Sequence, residues 1–460
     1  MNLRKAGSFI SILLAAVALG LKIWCGETMI PLISVIIMLM FLTILICEVI
    51  PVTLACILTL GFMPVIGITN DFNSALSGFS NQVVFFILAS FGIAAALMKV
   101  PISRRILKYL LIRFGKNSRL LVLAFMICTA LVSSVISNVP TCTVFIAISS
   151  ELLKLLSDQD QKKTGKTFMI GIPVASMIGG IMTPAGSSIN LLAINLLESN
   201  SDSDITFVKW MCFGVPIVIL FLPLAWFILI KVFPPAEIDK GKIKNFVSDL
   251  NIPTKIIPEE KRVIVIFLVI FILWLSSSWI SSINVMVVSL IGCGVFCMPR
   301  IGVLSVKEFI DKISWDAFFL VGTVLSLGSA LVNNGVSGKM IQLLPETGET
   351  QILVLACVAA VTFILLIFIP VAPSLITFFI PIVIHVALSS KIAPALAVML
   401  CAMCAGNCYL FPLDTVCLLS YSQGYYKMFE MPKVTAKLQI CFVVIASLCV
   451  YAIGKIVFPG

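Results

Sequence analysis

Long uninterrupted runs of hydrophobic residues dominate the chain, and short polar segments separate them. Each run approaches the roughly 20 residues that an α-helix needs to cross a bilayer. The pattern predicts eleven crossings, at about residues 7–25, 29–46, 50–68, 82–99, 168–196, 208–232, 263–281, 283–298, 315–333, 391–424 and 437–457. It also predicts two reentrant hairpins, at about 119–150 and 351–388, and an amphipathic segment over 102–114.

The composition indicates a membrane protein and excludes a soluble one. Hydrophobic residues make up 60% of the 460 residues and charged residues 11%, whereas soluble domains carry roughly 25% charged residues. The net charge of +10 does not indicate a nucleic-acid partner, because the basic residues lie in short segments between apolar runs. The 15 cysteines show neither a disulfide framework nor a zinc-site spacing. We therefore expect an all-α polytopic protein of the cell membrane.

The distribution of basic residues predicts the orientation of the chain. With a cytoplasmic N-terminus, all but five of the 31 lysines and arginines fall on the cytoplasmic side, as the positive-inside rule requires. The exceptions are Lys22, Lys209, Lys339, Lys391 and Lys455. Eleven crossings then place the C-terminus outside, and the Lys- and Pro-rich segment 231–262 becomes a cytoplasmic linker.

The two halves of the chain resemble each other. AALMKVPIS at residues 95–103 is similar to SALVNNGVS at 329–337, and each copy ends a long apolar run and begins a short amphipathic one. The predicted topology puts the first copy inside and the second outside, which is the inverted repeat of many secondary transporters. A hairpin and an interrupted crossing follow each copy.

Polar and helix-breaking residues interrupt the apolar pattern at corresponding places in both halves. The hairpins carry SSVISNVPT at 133–141 and PVAPS at 370–374, and the crossings after them carry GGIMTPAGSSIN at 179–190 and GNCYLFPLDT at 406–415. Such breaks free backbone carbonyls, which together with hydroxyl groups suit a small cation. The N-termini of half-helices favour an anion. Two breaks in corresponding positions predict the binding site of a transporter.

These segments resemble the divalent anion:sodium symporter family, within the wider ion transporter superfamily. ALSGFSN at 75–81 is similar to the family's entry into its fourth helix, Ser137 and Asn138 match the start of its Ser-Asn-Thr hairpin motif, and TPAGSSIN at 183–190 resembles its Thr-Pro-x-Gly-Thr-Pro-Pro-Asn loop. The resemblance implies a homodimeric, elevator-type carrier of a small anion, with a di- or tricarboxylate as the first choice. It implies sodium as the coupling ion, with protons as an alternative, and no organic cofactor.

The resemblance also implies a division of the chain and a set of site residues. Residues 1–118, 206–350 and 431–460 would form a scaffold with two interfacial arms, and residues 119–205 and 351–430 a mobile transport domain. A first sodium site would be formed by Ser133, Ser137, Asn138 and Gly186. The expected substrate contacts, on the hairpins and broken helices, are Asn138, Val139, Thr141, Ser187, Ser374 and Thr415.

The second half departs from the family's pattern. When the two copies of the repeat are aligned, Val371 and Ala372 correspond to Ser137 and Asn138, and Asp414 stands where the family usually has a small or neutral residue. A carboxylate at membrane depth is costly and is a functional candidate. We predict a rebuilt second cation site at Pro373, Thr377 and Asp414. There Asp414 binds sodium, carries a proton, or only caps the helix that starts at Thr415.

Other classes of function have less support. An intramembrane enzyme would need paired acids or a catalytic dyad, and the single histidine, His385, lies in an apolar stretch. A channel would need a continuous pore lining. The sequence leaves open whether the chain is a symporter, an anion exchanger or a cation/proton antiporter of the same superfamily.

Overall fold

The computed structural model describes residues 3–47, 49–114, 117–239, 241, 246, 255–280, 282–336, 350–368 and 371–458. Within these ranges the regular structure is helical and contains no strand, which confirms the predicted all-α fold. The helices of the first half are α1 (Leu3–Cys25), α2 (Ile30–Ile46), α3 (Val52–Ile66), α4 (Phe72–Ala75), α5 (Gln82–Lys99), α6 (Ile102–Phe114), α7 (Ser118–Ile136), α8 (Asn138–Leu153), α9 (Asp158–Gly180), α10 (Ser188–Asn200) and α11 (Phe207–Val232). The helices of the second half are α12 (Pro258–Ser276), α13 (Val285–Cys297), α14 (Val306–Lys312), α15 (Trp315–Asn333), α16 (Gln351–Phe368), α17 (Ala372–Ser389), α18 (Pro394–Ala405), α19 (Thr415–Tyr421) and α20 (Pro432–Val457).

Every predicted crossing coincides with one helix or with the two parts of a broken helix. The predicted bounds of α5 and α15 are correct, because Asn81 and Ser314 cap their first turns. Four helices begin four or more residues earlier than predicted: α1 at Leu3 rather than near 7, α9 at Asp158 rather than near 168, α12 at Pro258 rather than near 263, and α20 at Pro432 rather than near 437. Their first turns are polar, because each helix begins before the apolar run from which it was predicted.

Seven helical segments of the described chain are long and apolar enough to span a membrane, and five shorter apolar helices accompany them. One segment, Lys5–Leu45, contains both α1 and α2. These two helices form a hairpin, since a β-carbon on Gly7 would contact Cys47 at the far end of α2. The chain is therefore a multi-pass membrane protein. The predicted second interfacial arm beyond residue 336 and the linker residues 240, 242–245 and 247–254 lie outside the described residues.

The two halves use the same pattern of helix packing. In the first half α7 and α8 form a hairpin against α9, and in the second half α16 and α17 form a hairpin against α18. The short second part of each broken helix crosses to the other half, so that α10 packs on α17 and α18, and α19 packs on α8 and α9. Helices α11 and α20 pack against each other. This exchange supports the predicted internal repeat.

Ion pairs gather at one end of the helices, where α5 ends and where α9, α12 and α20 begin. Among the described residues they are Lys99 with Glu308, Arg105 with Glu260, Arg262 with Glu259, and Lys166 with Glu430. The Glu260 side chain is fully buried beneath Arg105, so this pair fixes α6 to the start of α12. We call this end the ion-pair face; the topology predicted from the sequence places it in the cytoplasm.

Candidate functional site

The first hairpin turns at Ser137, between α7 and α8. Ser137 has φ 87° and ψ 155°, a backbone conformation that normally requires glycine. Strain of this kind costs about 1–3 kcal/mol and persists where the surroundings impose it, often at a binding site. The turn places the buried Asn138 side chain at the N-terminus of α8.

The first broken helix is interrupted at the predicted place. Helix α9 ends at Gly180, and the Thr183 hydroxyl then accepts a hydrogen bond from the Gly186 N–H at 3.1 Å. The Ser187 hydroxyl accepts a hydrogen bond from the Ile189 N–H and caps α10. Helix α10 therefore starts as a new helix whose N-terminus lies inside the protein.

Hydrogen bonds join the hairpin tip to the helix before the break. The Ser133 hydroxyl donates to Oδ1 of Asn138 at 2.8 Å, and its oxygen lies 3.0 Å from the hydroxyl oxygen of Ser176. The Ser176 hydroxyl donates to the backbone carbonyl of Asn138 at 2.9 Å. Ser133 and Ser176 are fully buried. These oxygens form a compact polar cluster in an apolar interior, which we call the tip cluster.

A second set of hydrogen bonds holds the break against the tip. The Thr183 hydroxyl donates to the backbone carbonyl of Ser134 at 2.6 Å. The side-chain amide of Asn190 donates to the carbonyls of Gly180 at 2.8 Å and Thr183 at 2.9 Å. Asn190 thus satisfies the Gly180 carbonyl, which the end of α9 leaves without a helical partner.

Two glycines allow the backbones to approach this closely. A β-carbon on Gly180 would lie 2.2 Å from Oδ1 of Asn138. A β-carbon on Gly186 would lie 2.6 Å from the carbonyl oxygen of Gly180 and 2.9 Å from that of Ser134. Carbonyl oxygens from the hairpin and from the broken helix therefore meet around Gly186.

The tip cluster has the chemistry of a small-cation site. Its hydroxyl, amide and carbonyl oxygens are the ligands that hard cations prefer. Within the described chain, Oδ1 of Asn190 and Oγ1 of Thr141 are buried without a hydrogen-bond partner. Helix α8 begins at the tip and α10 begins after the break, so their positive dipole ends favour an anion close to the tip cluster.

The structure brings most of the predicted first-half residues together. Ser133, Asn138 and Gly186 share the tip cluster and its carbonyl neighbours, and Ser137 supplies the turn. Ser187 and Thr141 are buried near the N-termini of α10 and α8. Val139 follows Asn138 but is 37% exposed. The assignment of these residues to sodium and substrate stays a prediction.

The second hairpin is built with fewer polar groups. Ala372 begins α17 as Asn138 begins α8, so the alignment of the two repeats holds at the two tips. The Thr377 hydroxyl donates to the Pro373 carbonyl of its own helix at 2.9 Å. Ser374 is buried, and its hydroxyl has no partner among the residues that the structure describes. Residues 369 and 370, at the tip itself, lie outside those residues.

Asp414 lies in the second break, where its Oδ1 accepts a hydrogen bond from the Val416 N–H at 2.9 Å and caps α19. The same turn contacts the first hairpin, because the Cys142 thiol of α8 donates to the Val416 carbonyl at 3.5 Å. Thr415 is exposed beside it. Thr377 belongs to α17, which packs on α10 and α18 instead. The described contacts do not join Thr377 to Asp414, and the second cation site stays a prediction.

A cavity of about 300 Å³ opens between residues 77–81 and α15 on one side and α10 and α17 on the other. Its polar lining is uncharged and consists of Ser77, Asn81, Asn195, Ser199, Asn200, Ser329, Asn333 and Thr377. Nδ2 of Asn81 donates to Oδ1 of Asn195 at 2.7 Å, so a hydrogen bond joins the two walls. The cavity lies at the ends of α10 and α15, away from the ion-pair face. We call it the amide cavity.

Comparison with known proteins identifies the family. The profile of the citrate transporter family matches residues 38–406, which is most of the chain. The chain belongs to the citrate transporter family. It is therefore a membrane transporter, and the resemblance to divalent anion:sodium symporters is confirmed.

Relatives of this citrate transporter family member include transporters from bacteria and an animal. The sodium-dependent dicarboxylate transporter SdcS of Staphylococcus saprophyticus is 24% identical over 434 residues, which cover 88% of this chain and 82% of the relative. An uncharacterized transporter of Haemophilus influenzae is 27% identical over 81% of this chain and 82% of its own length. The sodium-dependent high-affinity dicarboxylate transporter 3 of Caenorhabditis elegans is 26% identical over 49% of this chain and 43% of its own length.

Several residues that hydrogen-bond at the hairpin tip, the break or the amide cavity were not predicted as site residues from the sequence. Thr183 and Asn190 lie in the interrupted segment, so the break itself was the available signal. Ser176 is a single hydroxyl in the apolar stretch before the break. A buried polar side chain is costly unless it is hydrogen-bonded, and that cost was the only signal for Ser176. Asn81 and Asn195 carried no local signal of their contact.

Proposed function

We propose that the protein is a secondary active transporter that couples the movement of a di- or tricarboxylate to sodium. Membership of the citrate transporter family supports this substrate class, as do the relatives named as sodium-dependent dicarboxylate transporters. The observation that carries the proposal is the insertion of the first hairpin tip into the break between α9 and α10. This arrangement puts cation ligands and two helix N-termini in one place.

Asn138 lies where the two cargoes would meet. Its Oδ1 belongs to the tip cluster with Ser133, while the first N–H groups of α8 have no helical acceptor and suit a carboxylate. Ser187 and the start of α10 offer the same kind of donor from the other side of the break. Cation and anion then hold the same tip and break together. Binding of either one raises the affinity for the other, which is the thermodynamic basis of coupling.

We also propose that the carrier is an elevator-type homodimer with a cytoplasmic N-terminus and an outside C-terminus. The crossed packing of α10 on α17 and of α19 on α8 ties residues 119–205 and 351–430 into one unit, as a moving transport domain requires. This unit meets the other helices at the amide cavity. In this orientation the cavity faces outside, and a sliding movement there would change access to the site.

Uptake into proteoliposomes tests the proposed function. Purified full-length chain is reconstituted, an inward sodium gradient is applied, and the uptake of labelled succinate, citrate, sulfate and phosphate is compared. We expect saturable uptake of a di- or tricarboxylate that requires the sodium gradient. Sodium-independent counterflow would replace symport by anion exchange. Non-saturating conductance, or hydrolysis of the substrate, would rule out a carrier.

Asp414→Asn tests whether Asp414 takes part in coupling. Asparagine still caps a helix, but it neither ionises nor carries a proton. If Asp414 is a cation ligand, the apparent affinity for sodium falls about tenfold, which corresponds to about 1.4 kcal/mol. If Asp414 carries a proton, the pH dependence of uptake is lost instead. Initial uptake rates with sodium and pH varied independently distinguish the two roles.

The matched control for this prediction is Asp71→Asn. Asp71 also caps a helix, by accepting a hydrogen bond from the Ser74 N–H at 2.7 Å, but it lies on the exposed surface before α4. We expect this variant to keep the wild-type dependence on sodium and on pH. An Asp414→Asn protein that matched it in both respects would show that Asp414 serves only as a cap.

A further inference from the structure

A second cavity, of about 200 Å³, lies among the ends of α16, α18 and α20. Its polar lining consists of Gln351, Lys391, Tyr451 and Lys455. Helix α20 starts beside the ion-pair face and runs for 26 residues, or about 39 Å at 1.5 Å per residue. Since Lys455 is in its last turn, the cavity lies at the opposite face of the membrane.

Lys391 is placed at this cavity against its backbone preference. It follows the end of α17 with φ 53°. The Lys391 N–H donates to the Leu388 carbonyl at 3.1 Å, and the Ile392 N–H donates to the Ala387 carbonyl at 2.8 Å. This is the helix-ending motif in which glycine is favoured at the left-handed position. A lysine there carries a conformational cost, which points to a role for its side chain.

Lys455 reaches the cavity from the other side, with Nζ 4.3 Å from the centroid of the Tyr451 ring. Within the described chain neither Lys391 nor Lys455 forms an ion pair. A third lysine, Lys209, lies 5.3 Å from the Phe458 ring at the edge of the cavity, but it pairs with Asp204. Among the described residues, the positive charge at this cavity that no carboxylate pairs therefore comes from Lys391 and Lys455.

Two of the helices that line this cavity, α16 and α20, also carry exposed apolar side chains. Leu353 of α16 is 46% exposed, and Leu448 and Ile456 of α20 are 50% and 79% exposed. In a membrane-spanning helix such side chains contact lipid chains, while lysines near the helix ends extend toward the headgroups. A ligand with a negative headgroup and apolar chains matches both surfaces.

We propose that this cavity binds the phosphate group of an anionic phospholipid, in the leaflet opposite the ion-pair face. Lys391 and Lys455 donate to the phosphate, and the acyl chains lie along α16 and α20. The two lysines come from different parts of the chain, one between α17 and α18 and the other on the last helix. A bound lipid thus bridges residues 351–430 and the C-terminal helix.

Lipid titration of the full-length protein tests this site. Phosphatidylglycerol or phosphatidylcholine is added to the detergent-purified chain, and the apparent affinity is read from the shift in thermal stability. Each lysine near an anionic surface contributes about 1 kcal/mol, or about fivefold. We therefore expect Lys391→Gln with Lys455→Gln to weaken phosphatidylglycerol binding by roughly 25-fold. The paired arginine substitutions should restore binding, and phosphatidylcholine should give no comparable shift.

Lys22→Gln is the matched control. Lys22 is also partly exposed at the end opposite the ion-pair face, but it donates to the Val65 carbonyl at 2.6 Å and lies outside the cavity. This variant should bind phosphatidylglycerol like the wild type. Three results would overturn the proposal: equal weakening by Lys22→Gln, unchanged affinity in the double glutamine variant, or an equal, lysine-dependent shift with inorganic phosphate alone. The last result would assign the cavity to a free anion.

Discussion

Asn138→Ala is expected to reduce substrate uptake by about 100-fold or more, while the protein still inserts into the membrane. The variant loses the acceptor of the Ser133 hydroxyl and with it an oxygen of the proposed cation site. Hydrogen bonds to charged groups contribute about 1.5–3 kcal/mol each, and the loss acts on both proposed cargoes, because in the proposed site Asn138 contacts both. Initial rates in proteoliposomes, normalised to the amount of reconstituted protein, measure the effect.

Asn117→Ala is the control that separates binding from helix capping. Asn117 caps the first turn of α7 by accepting a hydrogen bond from the Leu120 N–H at 2.8 Å, and the hairpin tip lies at the other end of this 19-residue helix. Loss of a cap costs about 1 kcal/mol of stability, so this variant should lose some thermal stability but keep its uptake. Wild-type uptake by Asn138→Ala would remove the tip cluster from the transport site.

Gly186→Val is expected to reduce uptake by at least about 30-fold and to weaken the apparent affinities for both sodium and the carboxylate. The first carbon of the new side chain would lie 2.6 Å from the Gly180 carbonyl oxygen and 2.9 Å from the Ser134 carbonyl oxygen. Neither backbone can yield without separating the break from the tip, and a misplacement of about 1 Å at a binding site is costly. Titration of sodium and substrate in the uptake assay measures both affinities.

Gly294→Val supplies the matched control, because a β-carbon on Gly294 meets no atom within 4 Å. Both variants add a valine side chain, but only Gly186→Val places it between the Gly180 and Ser134 carbonyls. We expect Gly294→Val to transport normally. If Gly186→Val lowered only the amount of folded protein and left both affinities intact, close packing would be the sole role of this glycine.

The sequence predicted the helices well where polar caps bound the apolar runs. Asn81 and Ser314 accept hydrogen bonds from the first turns of α5 and α15, and the predicted bounds there were correct. The predicted start of α9 was too late, because an apolar run marks only the part of a helix that lies in the membrane and not the polar turns before it. Residues 158–166 are polar, yet Ser157 caps them into the same helix.

The hairpin turn and the helix break of the first half could be located from the sequence because their signals are local. A Ser-Asn pair interrupts one apolar run, and a Gly- and Pro-rich segment interrupts the next. Ser176 gave no comparable signal, because its role depends on the packing of α7 against α9, which brings it within 3.0 Å of Ser133. Contacts between residues 43 positions apart arise from tertiary structure, and no pattern within a single helix records them.

The predicted second cation site depends on the similarity between the two halves, which extends to the backbone but not to the polar side chains. The alignment of the two repeats predicts the start of α17 correctly, so the backbone follows the repeat. The polar groups do not follow it: Thr377 bonds to its own helix, and Asp414 caps α19 next to the first hairpin. The helix capped by Asp414, α19, packs on α8 and α9, whereas Thr377 lies on α17, which packs on α10 and α18. The two residues that were predicted to share one cation site therefore lie against different helices.

The hydrogen bond between Asn81 and Asn195 opposes the proposed sliding movement. It joins the two walls of the amide cavity, so a sliding transport domain must break and remake it in every cycle. A neutral hydrogen bond contributes about 0.5–1.5 kcal/mol net, which shifts a two-state population by about 2- to 12-fold. The bond therefore biases the resting carrier toward this arrangement without trapping it. Substitutions at either asparagine would retune the resting distribution in small steps and leave the residues of the tip cluster unchanged.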